Sequence, residues 1–143
     1  MATIRLTENE IQYISLFEAV TQVEALDCIN DEENNRLIFV VKRGMAGKAI
    51  GSKGSNAKLL RKLFGRDVEI VEKGETLEEM LSAALFPAKI LSVKIREDSD
   101  GSRVAVVEVP ESQKGLAIGK NGRNVKRAKL LAKRYFDVDV VVK

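Results

Sequence analysis

Histidine and tryptophan are absent from the 143 residues, cysteine occurs once and proline twice. Each absence excludes something. Without histidine the commonest general base near neutral pH is missing, and zinc sites of Cys/His type are excluded by count. The single cysteine, Cys28, cannot form an internal disulfide and reads as a buried strand residue. No apolar run approaches the roughly 20 residues needed to span a bilayer, so no membrane partner is expected. The N-terminal stretch, with Arg5 followed by Glu8 and Glu10, lacks the apolar segment of a signal peptide. The expectation is therefore a cytoplasmic, monomeric binding protein and not an enzyme. No catalytic residue, no metal ligand and no cofactor is assigned.

What the chain does have is charge, and the charge is segregated. Residues 1–41 carry a balance of −6 and residues 42–66 a balance of +8, with no acid among the latter. Residues 67–110 return to −5, and residues 111–143 rise to +6. Two basic blocks between acidic ones imply two polyanion contact zones, where one run alone would read as a solvated helix face.

The basic blocks belong to an internal repeat. Gly47-Lys48-Ala49-Ile50-Gly51-Ser52-Lys53-Gly54-Ser55-Asn56-Ala57-Lys58 is matched 68 residues later by Gly115-Leu116-Ala117-Ile118-Gly119-Lys120-Asn121-Gly122-Arg123-Asn124-Val125-Lys126, with seven of twelve positions identical. With two extra residues in the second copy, Asp67-Val68-Glu69-Ile70-Val71 falls on Asp137-Val138-Asp139-Val140-Val141. A period near 70 suits a duplicated small domain and not a solenoid, which sets the boundaries at 1–73 and 74–143.

The flanks repeat in kind. Thr7-x-x-Glu10 predicts a capped helix through about Val20, with Ile11, Ile14, Phe17 and Val20 on one face. Thr76-x-x-Glu79 predicts a shorter one ending before Pro87. Two strands follow each helix, over 23–30 and 36–42 and over 89–96 and 103–109. Leu91, Val93 and Ile95 alternate with polar residues, implying a sheet with one solvated face. A short helix, a glycine turn, a second helix and a strand complete each copy. Ala57, Leu60, Leu63 and Phe64 form one apolar stripe, while Val125, Ala128, Leu131, Ala132 and Tyr135 form the other. Tyr13, Phe17 and Phe64 read as core. Each copy is α-β-β-α-α-β, an α+β fold in which the last crossover suits parallel pairing.

Spacing decides what the glycine turn can hold. A P-loop needs G-x-x-x-x-G-K-[ST]. Gly47-Lys48 is followed by Ala49 and preceded by Lys42 at the first-glycine position, while Gly119-Lys120 is followed by Asn121 and has Lys114 there. The dinucleotide fingerprint fails because no glycine lies two residues before Gly51 or Gly119. The remaining pattern, helix-G-x-x-G-helix, suits a nucleic-acid backbone. Glycines let the main chain approach a ligand, and the following helix offers unpaired N–H groups and its positive dipole end to phosphate. Lys48, Lys53, Lys58 and Arg61 attend the first turn; Lys120, Arg123, Lys126 and Arg127 attend the second, with Arg134 extending a basic stripe.

With Ile50 and Ile118 leading into the turns, the sequence resembles the KH domain family, whose motif is I-G-x-x-G before a helix. The element order is that of the type II variant, so the resemblance implies two tandem type II KH domains, each with a three-stranded mixed sheet packed on helices. It also implies single-stranded RNA as partner. Ile50 with Gly51-Ser52-Lys53-Gly54, and Ile118 with Gly119-Lys120-Asn121-Gly122, would clamp about four nucleotides each. Ala57, Leu60, Val125 and Ala128 are the nearest candidates for the aliphatic base groove. Ala57 stands where a larger aliphatic is usual, implying a shallower first groove. The pair of modules is similar to the archaeal NusA-like transcription termination factors. No counterpart of the N-terminal polymerase-binding domain or S1-type barrel of bacterial NusA is found, so contact with RNA polymerase is implied by resemblance alone.

Two other readings compete. A KH-based protein-interaction scaffold, or an accessory factor in ribosome or RNA processing, would also carry this architecture. Intact lysine-bearing turns weigh against a scaffold with vestigial loops. The low aromatic content, 5%, argues against the stacking platforms of RRM and OB folds but not against an aliphatic KH groove.

Overall fold

A computed structural model describes residues 6–143. The first five residues of the expected N-terminal domain, Arg5 among them, lie outside the described residues. The described residues divide between Lys73 and Gly74 into two compact units.

The N-terminal unit contains α1 (Glu8–Thr21), β1 (Ala25–Asp31), β2 (Arg36–Val41), α2 (Ala46–Ile50), α3 (Ser55–Phe64) and β3 (Asp67–Glu72). Thr7 caps α1 reciprocally: its hydroxyl accepts from Glu10 N–H at 3.2 Å, and Glu10 Oε1 accepts from Thr7 N–H at 2.8 Å. The sheet order is β1-β2-β3, antiparallel then parallel. The parallel pair follows from the helical crossover that carries the glycine turn. Phe17 stacks on Phe39 with centroids 4.3 Å apart, and Tyr13 meets Phe64 edge-on at 5.5 Å. Leu37, Val41, Leu60, Val68 and Cys28 close the core around them. Leu63 departs from the predicted stripe: it is half-exposed, as is Leu59.

The same unit buries charge. Arg36 is fully buried at the start of β2; its Nε donates to Asp31 Oδ2 at 2.6 Å and its Nη1 to Glu69 Oε1 at 3.0 Å. Asp31 also accepts from the Asn34 side chain at 3.0 Å. Arg66 Nη2 reaches Asn30 Oδ1 at 2.6 Å and Arg36 O at 3.1 Å. The Arg36 guanidinium, standing on β2 and bonded to Asp31 of β1 and Glu69 of β3, thus joins all three strands.

The C-terminal unit contains α4 (Leu77–Leu85), β4 (Ser92–Glu97), β5 (Arg103–Glu108), α5 (Lys114–Ile118), α6 (Arg123–Phe136) and β6 (Asp139–Val142), with sheet order β4-β5-β6 and the same strand senses. Its first helix is placed differently. Whereas α1 lies over β1, α4 packs along α6 through Met80, Leu81, Ala84 and Leu85. The nine-residue α4 is five residues shorter than α1, because Pro87 cannot continue it. The alternation of Leu91, Val93 and Ile95 is real, but its apolar side is left open, with Leu91 61% and Ile95 46% exposed.

Sheet register also corrects the repeat. Leu37 pairs with Val68 and Ala105 with Val140, so the terminal strands correspond at an offset of 72, not 70. Helix α6 has 14 residues against 10 in α3. Four residues add about one 3.6-residue turn, which keeps the helix faces in phase. The slip is invisible in sequence because an acidic/aliphatic alternation matches itself when moved by two.

Candidate nucleic-acid interface

Both glycine turns have one backbone conformation. Gly51 stands at φ 83°, ψ 167° and Gly119 at φ 77°, ψ 170°, a region open essentially to glycine alone. Lys53 and Asn121 follow in the left-handed region at φ 55° and 57°, and then Gly54 and Gly122 at φ 74° and 76°. Gly54 N–H donates to Gly51 O and Gly122 N–H to Gly119 O, each at 3.0 Å.

Asn56 and Asn124, assigned no role from the sequence, brace these turns. Each lies over the first glycine, and its side-chain nitrogen reaches back to the preceding helix: Asn124 to Leu116 O at 2.8 Å, Asn56 to Lys48 O at 3.5 Å. Their identity at offset 68 was the available signal.

The helices α3 and α6 start on Gly54 and Gly122. Neither residue supplies a side-chain cap, and neither first turn contains an acid. The orphan N–H groups and dipole end are therefore unopposed by any carboxylate there. Lys58 and Lys126 lie across the second glycines: a Cβ added at Gly54 would sit 3.9 Å from Lys58 Cε, and at Gly122 3.6 Å from Lys126 Cε. Ser52, Lys53, Lys48, Lys120 and Asn121 are exposed, and Ile50 and Ile118 remain 38% and 40% exposed at the mouths of the turns. Arg123, half-buried, adjoins Gly122.

Two predicted arginines are occupied elsewhere. Arg61 Nε pairs with Asp67 Oδ1 at 2.9 Å and its Nη2 donates to Val68 O at 3.2 Å, tying α3 to β3. Its counterpart is Lys129, paired with Asp139 at 3.1 Å. Burial raises the Asp139 pKa, but the Val140 N–H and Lys129 outweigh it and hold the carboxyl below its ordinary value. Arg127 donates through Nε and Nη2 to Ala84 O at 2.9 and 2.7 Å, closing the C-terminal end of α4. The groove candidates also divide: Ala57, Leu60 and Ala128 are buried core, while Val125 is half-buried. Exposed aliphatic surface near the turns comes from Leu59 and Leu116 as well as the two isoleucines, while Leu63 lies at the far end of α3.

Lysine pays more than asparagine to occupy the left-handed region. Lys53→Asn should stabilise the N-terminal unit by about 0.5–1 kcal/mol in urea unfolding, while removing a cation from the turn.

Among the described residues no group of three or more His, Cys, Asp or Glu could hold a metal, and no helix is long and apolar enough to cross a membrane.

The sequence profile described as NusA-like second KH domain matches residues 10–78 and again 77–141. The chain belongs to the NusA-like KH family. A relative from Halobacterium salinarum strain R1, named probable transcription termination protein NusA, is 41% identical over 96% of both chains. A Methanocaldococcus jannaschii protein of the same name is 32% identical over 94% of this chain and 72% of its own length. The crystal structure of APE1850 superposes with a TM-score of 0.89 at 46% identity, covering 96% of this chain and all of that one. Tandem NusA-like KH modules and two three-stranded mixed sheets on helices are thus the architecture of the molecule.

Proposed function

We propose that the chain binds single-stranded RNA through two backbone clamps, one in each KH domain (1–73 and 74–143), and acts as a transcription termination or antitermination factor of NusA type. The observation that carries this is the pair of matching glycine turns, each opening an uncapped helix N-terminus with a lysine laid across it. Phosphate oxygens would accept from those N–H groups and from Lys48, Lys53, Lys58, Lys120 and Lys126, with Ser52, Asn121 and Arg123 at the rim. Ile50 and Ile118 would meet the sugar–base side. Arg61 and Arg127 hold the frame. The names of the relatives support the transcriptional role, and contact with RNA polymerase rests on the family resemblance alone. The protein works by binding, without catalysis, as a monomer.

The test is binding to short single-stranded RNA, with single-stranded DNA and duplex RNA beside it, as salt is varied. Log affinity should fall with log salt at about −0.7 per phosphate neutralised. Ser52→Asp with Lys53→Asp, or Lys120→Asp with Asn121→Asp, should each weaken binding by about tenfold or more, since each pair sets two carboxylates against phosphate. RNA binding that is undetectable at low salt, or unchanged when both turns are altered in folded protein, refutes the clamp.

A further inference from the structure

We propose that the open edge of β4 docks an extended segment of a partner protein whose side chains alternate between acidic and aliphatic. Among the described residues, strand β4 has β5 on one side and no strand on the other. Asp98 N–H donates to Ser102 O at 2.8 Å. Hydrogen-bonded pairs in an antiparallel ladder recur every second residue, so Ser92, Lys94 and Arg96 bond inward to β5. The N–H and C=O groups of Val93, Ile95 and Glu97 consequently point outward along the free edge.

The side chains on that edge are sorted by face. Val93 and Ile95 stand beside Val107 and Ala105, their partners on β5, which are fully buried. Yet Ile95 is 46% exposed, because α4 covers α6 instead. On the opposite face Lys94 and Arg96 are exposed, with Asp98 paired to Arg96 at 2.9 Å. In the N-terminal unit the equivalent strand β1 is buried along most of its length, so the open edge belongs to the C-terminal unit.

Charge selects the occupant. Outward-bonding residues pair with outward-bonding residues. In a two-fold pairing of β4 with a second copy, every register joining four or more of its residues therefore sets Lys94 opposite Lys94 or Lys94 opposite Arg96. Like charges directly opposed destabilise such a ladder, and cationic edge residues resist self-association. A foreign strand with acids opposite Lys94 and Arg96 and aliphatics opposite Val93 and Ile95 satisfies both faces, as in strand addition to a sheet edge. RNA is disfavoured, since β4 has no aromatic side chain for stacking and its unpaired row is backbone.

The probe is a capped synthetic peptide, Glu-Val-Glu-Ile-Glu-Val, titrated into the full chain and followed by amide chemical shifts. Shifts should centre on β4 and be weaker by about tenfold for a block-ordered peptide of the same composition. A Lys-Val-Lys-Ile-Lys-Val peptide, and one N-methylated at alternate residues, should not bind. Ile95→Pro deletes an outward N–H that β5 does not use, a place where an edge strand tolerates proline, and should abolish binding. Lys94→Glu with Arg96→Glu, at exposed positions, should reverse the preference between the acidic and basic peptides. The proposal is overturned if no shifts occur at millimolar peptide, or if the ordered and block peptides bind alike. It is equally overturned if folded Ile95→Pro retains the peptide or loses RNA instead.

Discussion

Replacing Arg36 by alanine should cost the N-terminal unit about 3–5 kcal/mol, the range for breaking a buried ion pair from one side. The guanidinium is fully buried and bonds Asp31, whose side chain is only 5% exposed, together with Glu69. Without it, the Asp31 carboxylate keeps only its bonds to Asn34, which cannot neutralise it, Arg66 reaching the Asp31 backbone carbonyl instead. The loss is mainly the penalty of a charge left in low dielectric and only partly the worth of the pair. Arg36→Met with Asp31→Leu and Glu69→Gln should therefore recover most of it. Urea unfolding together with amide exchange in β2 measures both. Equal instability of the single and triple variants would show that the ion pairs, and not the stranded charge, set the cost.

Gly119→Ala should destabilise the C-terminal unit by about 2–4 kcal/mol, combining 1–3 for the backbone region with a steric part. The added Cβ would meet Asn124 Cγ at 2.8 Å and Asn124 N at 3.0 Å. Moving the asparagine away would break its 2.8 Å bond to Leu116 O. Gly51→Ala meets similar distances, but Asn56 holds Lys48 O only at 3.5 Å and can yield more readily. The first substitution should thus cost more than the second, and both should weaken RNA binding by displacing the helix start. At roughly 4–8 °C per kcal/mol for a domain of this size, differential scanning of the two variants resolves the order. If Gly51→Ala proves the costlier, the asparagine brace does not set the difference.

The turns were legible because their chemistry is local: two glycines at fixed spacing set the backbone, although the asparagine that braces each turn, identical in both copies, was not read as part of it. The α-β-β-α-α-β order was legible for the same reason, through the caps Thr7 and Thr76 and the period-2 strands. What could not be read depends on which surface an amphipathic helix selects. Nothing in Leu77–Leu85 says that it will lie on α6 rather than β4, and so the exposure of Leu91 and Ile95 was hidden. Leu63 fits the helical period but looks outward, since period marks a face and not what covers it. Arg61 and Arg127 have the charge expected of phosphate contacts, while their partners, Asp67 and Ala84 O, come from other elements. The added turn in α6 was masked by the self-similar strand that follows.

The second turn contains Asn121 followed by Gly122, a dipeptide prone to ageing, because the glycine nitrogen can attack the asparagine amide carbon and release ammonia. Here that nitrogen already donates its hydrogen to Gly119 O at 3.0 Å, with Asn121 held left-handed at φ 57°. The closed loop therefore guards its own covalent integrity. Prolonged opening would convert a neutral amide at the proposed phosphate contact into a carboxylate, and the lifetime of the folded turn would limit the lifetime of the site.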